Sequence, residues 1–199
     1  NLWDTVYHEH YSYLSLSAVS IILRRNKLKI YDVEKIDTHG GSFRVYASKI
    51  NSSIKINRSV DSIIKSEKEK DVRNITYYQS LQIKANQKKL EINRFLLKNK
   101  IKNNKVIGYG AAAKGATMLN FCCIKPDLMS LVIDNNPNKQ NKFFPGSRIP
   151  ILSEKKVKKM DPEYIVILPW NIKKEIAFLI KKNLKKTKLV VFFPKLKIF

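Results

Sequence analysis

Apolar positions along this chain recur first with a helical period, then alternate, then return to a helical period, before settling into short strand and helix runs. Leu14, Leu16, Ala18, Val19, Ile22 and Leu23 make one helical face, a spacing that predicts an amphipathic helix. Arg24, Arg25 and Asn26 close it: basic side chains suit the carbonyl end of a helix dipole, and Asn tolerates a left-handed closing residue. Two strand-like runs follow, Leu28 to Asp37 and Ser42 to Ser48, around Thr38-His39-Gly40-Gly41. Phe43, Val45 and Ala47 alternate with Arg44 and Tyr46, which predicts an antiparallel hairpin over a glycine turn. No glycine or proline occurs between Ser42 and Ile107. From Ser59, a candidate N-cap, to Lys102 the chain is rich in Lys, Glu and Gln. Val72, Ile75, Tyr78, Leu81 and Ala85 recur there at three and four residues, so one long or two consecutive helices are expected.

From Lys105 the pattern alternates. Strand runs at Val106-Ile107, Leu131 to Asp134, Tyr164 to Leu168 and Leu189 to Phe193 are separated by predicted helices over 111–122, 154–159 and 172–183. Short β-branched runs alternating with helices imply a parallel sheet covered on both faces, hence an α/β, Rossmann-like domain with ligands at the carboxyl ends of its strands. A helix and a hairpin bury too little to stand alone. The expected organisation is therefore 1–52 as the end of a larger domain, 53–104 as a helical connector, and 105–199 as the α/β domain. Residues 1 to 13 show no period and read as a loop leaving a strand upstream. The first residue is Asn1 rather than Met, so a truncated chain is expected.

Composition narrows the function classes. An apolar share of 44% over 199 residues fills a real core and disfavours disorder. The formal charge of +23 invites a nucleic-acid or anionic-membrane reading. The excess is almost all lysine, 32 Lys against 7 Arg, spread along the chain and accompanied by 24 Ile and 17 Asn, as an AT-rich coding sequence produces. Without clustered Arg or an aromatic-basic module, neither nucleic acid nor membrane is expected as a partner. A basic surface still favours a phosphate-bearing substrate. Cys122 and Cys123 are adjacent and form no disulfide framework or metal pair; both are expected to be core residues in a reducing cytoplasm.

Gly108-x-Gly110-x-x-Ala113 follows a strand and opens a helix, and Asp134 ends the next strand. Glycine lets backbone approach a phosphate, and the amino end of a helix offers N–H groups to it. Lys114 lies one residue beyond the turn, and Lys114 preceding Gly115 rules out a P-loop. Gly108, Gly110, Ala111, Lys114, Asp134, Asn135, Trp170 and Asn171 are the candidate ligand-binding residues. A turn that only packs helix on sheet, and a Pro169-Trp170-Asn171 helix start with a buried indole, explain the same residues.

Tyr7-His8-Glu9-His10-Tyr11-Ser12-Tyr13 concentrates proton-handling groups. His8 and His10 share a face on extended backbone, but a metal needs a third ligand, and only His39 and the paired cysteines are on offer, so no metal is expected. Imidazole is the natural general base near neutral pH, and a neighbouring carboxylate orients it.

Tyr-His-Glu-His-Tyr-Ser-Tyr-Leu-Ser, His-Gly-Gly-Ser-Phe-Arg-Val-Tyr, Gly-Tyr-Gly-Ala-Ala-Ala-Lys-Gly, Ile-Asp-Asn-Asn-Pro-x-Lys-Gln and Ile-Leu-Pro-Trp-Asn, in that order, resemble the nucleotide-sugar C-methyltransferases of 4-keto deoxysugars. The resemblance covers essentially the whole chain. It implies an amino-terminal zinc module and a class I methyltransferase domain holding S-adenosylmethionine, with only the end of the latter present here. It also implies a last domain that binds a thymidine-diphosphate-linked 4-keto sugar. His10 is the implied base for the C–H beside the ketone, with Tyr7 and Glu9 orienting it or bonding the sugar. The chain lacks the zinc cysteines and the donor glycine motif, so as it stands it is expected to be inactive; separately, it is expected to be a monomer. Two rivals remain: a nicotinamide-dependent oxidoreductase with Asp134 on the ribose, and a non-catalytic nucleotide-sugar-binding module.

Overall fold

A computed structural model describes residues 2–37, 40–157, 160–183 and 186–199. The chain divides into two compact units, His10–Ile83 and an α/β unit formed by Asn1–Glu9 with Lys84–Phe199.

In the unit His10–Ile83, helix α1 (Leu16–Arg25) is capped by Ser15, whose side chain accepts from the Ala18 amide. Glu67 adds a second cap: its carboxylate accepts from the Leu16 and Ser17 amides at 2.6 and 2.8 Å. An anion there satisfies orphan donors and complements the helix dipole. At the other end the left-handed residue is Lys27, with φ 57, and not Asn26, whose φ is −100. Strands β1 (Leu28–Ile36) and β2 (Ser42–Lys49) form the expected antiparallel hairpin, with Val33 opposite Val45. Thr38 and His39 of its turn lie outside the described residues. A bulge between Ile30 and Asp32 lets both Ile30 and Val33 turn inward. They meet Leu16 of α1 and Val60 and Ile63 of helix α2 (Arg58–Glu69) in a small apolar core. The N-cap position of α2 is Asn57 rather than Ser59, whose hydroxyl instead donates to Asp32 at 2.6 Å.

Helix α3 (Ile75–Ile101) follows α2 after a short break, so the stretch from Ser59 to Lys102 is two consecutive helices, and the point of division between the units falls within α3. Ala85, Ile92, Leu96 and Asn99 are its buried positions, spaced seven, four and three apart along one stripe that joins the α/β core.

The α/β unit holds one seven-stranded sheet in the order β5-β6-β4-β3-β7-β8-β9. Strands β3 (Val106–Tyr109), β4 (Val132–Ile133), β6 (Pro150–Leu152), β7 (Tyr164–Ile167) and β8 (Lys188–Val191) run parallel. Ile107, Ile133, Ile165 and Leu189 are fully buried along them, each worth about 1.5–3 kcal/mol of transfer free energy. Two-residue antiparallel strands, β5 (Lys142–Phe143) and β9 (Lys197–Ile198), close the edges; each carries a lysine, which discourages pairing with another chain. Neither was foreseen, because two residues carry no period. Helices α4 (Ala113–Phe121), α5 (Glu154–Val157) and α6 (Lys173–Asn183) connect the strands. The predicted continuation of α5 to Lys158 and Lys159 lies outside the described residues.

Residues 2–5 are not the open loop expected. Trp3–Thr5 form a single 3-10 turn. The Trp3 ring lies 4.6 Å from Phe121 and 5.2 Å from Phe193, centroid to centroid, so the segment belongs to the core. The expectation that both cysteines are buried also needs correction. Cys122 is inside, whereas Cys123 takes a left-handed conformation just past α4 and is exposed. Among the described residues, no helix is long and apolar enough to cross a membrane.

Candidate functional site

β3 is entered first and lies mid-sheet; the chain then builds outward through β4 and β6 and crosses back to place β7 on the other side. Connections therefore leave the carboxyl ends of β3 and β7 in opposite directions, which opens a crevice there. The glycine turn occupies that point. Gly110 has φ +86, and a Cβ on it would fall 2.6 Å from Pro169 Cδ. Gly108 faces Val132 and Met129, and Gly115 lies against Leu168, where a Cβ would sit 2.7–3.0 Å from those side chains. The three glycines thus let helix α4 and the residues after β7 approach the strand ends closely.

Asp134 holds the turn in shape. Its Oδ2 accepts from the Ala111 amide at 2.6 Å and its Oδ1 from the Asn136 amide at 2.8 Å. Lys139 Nζ donates to the Ala111 carbonyl at 2.7 Å and stands 3.8 Å from Asp134 Oδ2. Asn135 donates to the Tyr109 hydroxyl at 2.9 Å. Burial, then the carboxylates of Glu154 and Asp134, push that phenol above its ordinary value, against the Asn135 bond, so it stays protonated.

On the β7 side, Lys114, Trp170 and Asn171 come together around Asp4, a residue the sequence did not single out. The indole of Trp170 is buried, and its N–H donates to Asp4 Oδ2 at 2.6 Å. Lys114 Nζ stands 4.8 Å from the Trp170 ring centroid and donates to Asn171 Oδ1 at 3.3 Å. Burial holds the Lys114 ammonium below its ordinary pKa and pushes the Asp4 carboxyl up, with each partly offsetting the other's shift. Asp4 has no motif around it, and its partners lie more than a hundred positions away.

Beside the amino end of α4 lies a cleft of about 360 Å³, lined by Ala111, Ala113, Lys139, Lys142, Phe143 and Phe144 among others. It combines helix amides, two lysines and aromatic rings, a set suited to a phosphate joined to a flat base. A larger hollow of about 600 Å³ belongs to the other unit, lined by Tyr13, Lys35, Phe43, Lys70, Tyr77 and Tyr78 among others.

In the His-Glu-His stretch, Tyr7 is half-buried while His8 and Glu9 form an exposed turn. The His10 ring meets Tyr13 edge-on at 6.0 Å. The division between the units falls between Glu9 and His10. Among the described residues, no three His, Cys, Asp or Glu side chains gather as a metal site would require.

Residues 37–194 match the family described as the C-methyltransferase C-terminal domain. The chain belongs to that family. The matched span runs from just past the hairpin's first strand to just past β8, and so includes the glycine turn and the Trp170 rim. Across 177 residues, or 88% of the chain, it is also 30% identical to C-methyltransferase NovU of Streptomyces niveus. It spans 42% of that relative's length. The matched span therefore takes in the crevice, the cleft and the Lys114 and Trp170 side of the cluster, while Asp4 lies upstream of it.

Proposed function

We propose that this chain is the carboxyl-terminal portion of an S-adenosylmethionine-dependent enzyme that methylates C3 of a nucleotide-linked 4-keto deoxysugar through an enolate. The observation that carries the reading is the similarity, over most of the chain, to a protein named as a C-methyltransferase. The strand order supports a Rossmann-like assignment for residues 105–199. Residues 10–52, with their helix and hairpin, are then the closing part of a class I methyltransferase domain and 53–104 the connector, whereas the Asn1–Glu9 segment packs with the α/β unit. A thymidine diphosphate is the ligand proposed for the α/β unit, its phosphates at the amino end of α4 near Lys139 and Lys142, and its base against Phe143 or Phe144.

A C–H beside a ketone is acidic because the electron pair left behind spreads onto the ketone oxygen. His10 takes that proton onto its imidazole, Glu9 orients the ring, and the Tyr7 hydroxyl donates to the enolate oxygen where negative charge develops. S-adenosylmethionine, when bound, supplies an electrophilic methyl group to the carbanion. The Asp134 side chain, engaged by the amides of Ala111 and Asn136, supports the glycine turn rather than reaching toward a ribose. The methyl donor, and any zinc, are proposed to sit on parts of the protein outside this chain, which spans 42% of its relative's length.

The test is hydrogen exchange at the reacting carbon. Full-length protein incubated in D2O with the 4-keto sugar nucleotide and no methyl donor should exchange the C3 proton, and His10→Ala should lose that exchange while still binding thymidine diphosphate. Exchange that survives the substitution removes His10 as the base.

A further inference from the structure

Trp170 follows a strand on the ligand rim, where an aromatic ring invites assignment to base stacking. Its surroundings give it another task. The ring is buried, its N–H is committed to Asp4, and the Lys114 ammonium stands 4.8 Å from the ring centroid. Asp4 is itself 1% exposed, and its Oδ1 has no hydrogen-bond partner among the described residues. A carboxylate in such a place is a poor source of stability, since an apolar residue of similar volume packs there at less cost. What one directed bond does supply is register. Trp3, wedged between Phe121 and Phe193, binds the segment to the core, and the Asp4–Trp170 bond adds one directed polar contact to that apolar packing.

The specified geometry continues along the chain. Thr5 donates to the Leu2 carbonyl through both its amide and its hydroxyl, and Val6 donates to the Trp3 carbonyl. Tyr7 in turn donates its amide to the Thr5 carbonyl at 3.1 Å. Every residue from Leu2 to Tyr7 is thereby tied to an anchored turn within the same unit. Resting on the catalytic reading above, we propose that Asp4 and Trp170 form a positioning clasp that sets the Tyr7–Glu9 end of the reactive stretch, and that Trp170 does not touch the nucleotide base.

Full-length protein carrying Trp170→Phe, Asp4→Ala, or both tests this by steady-state kinetics and by amide hydrogen exchange. Misplacing a catalytic group and losing a charge-assisted bond lowers kcat roughly tenfold or more in each single variant, with KM for the nucleotide sugar within about twofold. The double variant falls no further than the worse single one, because both remove the same bond. Exchange at Val6–Glu9 quickens in all three, while β7 is unchanged. Raised KM with unaltered kcat makes Trp170 a base-stacking residue and overturns the proposal, as do additive losses or unchanged exchange. If Asp4→Ala does not fold, Trp170→Phe, which keeps a ring beside Lys114, carries both readouts. Wild-type protein that transfers no methyl group defeats the catalytic reading alone, and exchange at Val6–Glu9 still decides the clasp.

Discussion

The backbone amide of Ala111 donates to the carboxylate of Asp134 at 2.6 Å, tying the turn after β3 to the end of β4. One side chain thus satisfies two loop amides, those of Ala111 and Asn136. Asp134→Ala leaves both without that acceptor and should destabilise the α/β unit by about 1–3 kcal/mol. Asp134→Asn keeps one acceptor oxygen and should cost less. Urea midpoints of the two variants against wild type check the ranking, and calorimetry should show thymidine diphosphate binding without NAD binding.

Gly110→Ala should be the most damaging single methyl addition in the turn. Its φ of +86 disfavours any Cβ, and the new atom would lie 2.6 Å from Pro169 Cδ. Backbone strain of about 1–3 kcal/mol adds to the clash. Gly115→Ala meets only the Leu168 side chain, 2.9 Å away at its nearest, and part of that conflict relaxes by rotation. Thermal unfolding should rank Gly110→Ala below Gly115→Ala.

Burial raises the Asp4 carboxyl above its ordinary 3.8, against the opposing pull of Trp170 and Lys114. The folded chain then holds that proton more tightly than the unfolded chain. Asp4 therefore makes stability fall as pH rises from near 3.8 through the folded value, and the loss is complete above it. Asp4→Asn removes this dependence, so its stability relative to wild type should improve across that rise. Denaturant unfolding of both proteins from acid to neutral pH measures the difference; a constant difference contradicts the assignment.

The two neighbouring thiols should react very differently. Cys123 is exposed, whereas burial pushes the Cys122 thiol up to about 12. A thiol reagent at neutral pH should label one cysteine promptly and the second only on unfolding, because the thiolate is the nucleophile. Mapping the labelled peptide should find the adduct on Cys123.

The legible parts of this chain were those whose cause is local. Alternation around Val33 and Val45 announces a hairpin, and a glycine turn between a strand and a helix announces the carboxyl end of a parallel strand. The position of Asp134 at a strand end was visible, but its task of holding the Ala111 and Asn136 amides was not, because the sequence does not show which backbone donors surround it. Asp4 was not visible, since its meaning depends on Trp170, 166 positions away, and no periodicity passes between them. Trp3 hid in the same way among aromatic residues without a period. Strands β5 and β9 were missed for a different reason: two residues paired on an edge owe their conformation to their neighbours.

Whether the methyl group arrives on a ring carbon of a keto sugar is decided by following a labelled methyl group. Full-length protein given S-adenosylmethionine with a 13C-labelled methyl group and a thymidine-diphosphate 4-keto deoxysugar should yield a product whose labelled methyl couples to C3 in the carbon spectrum. A label found on oxygen, on another carbon, or only in unreacted donor would contradict the account.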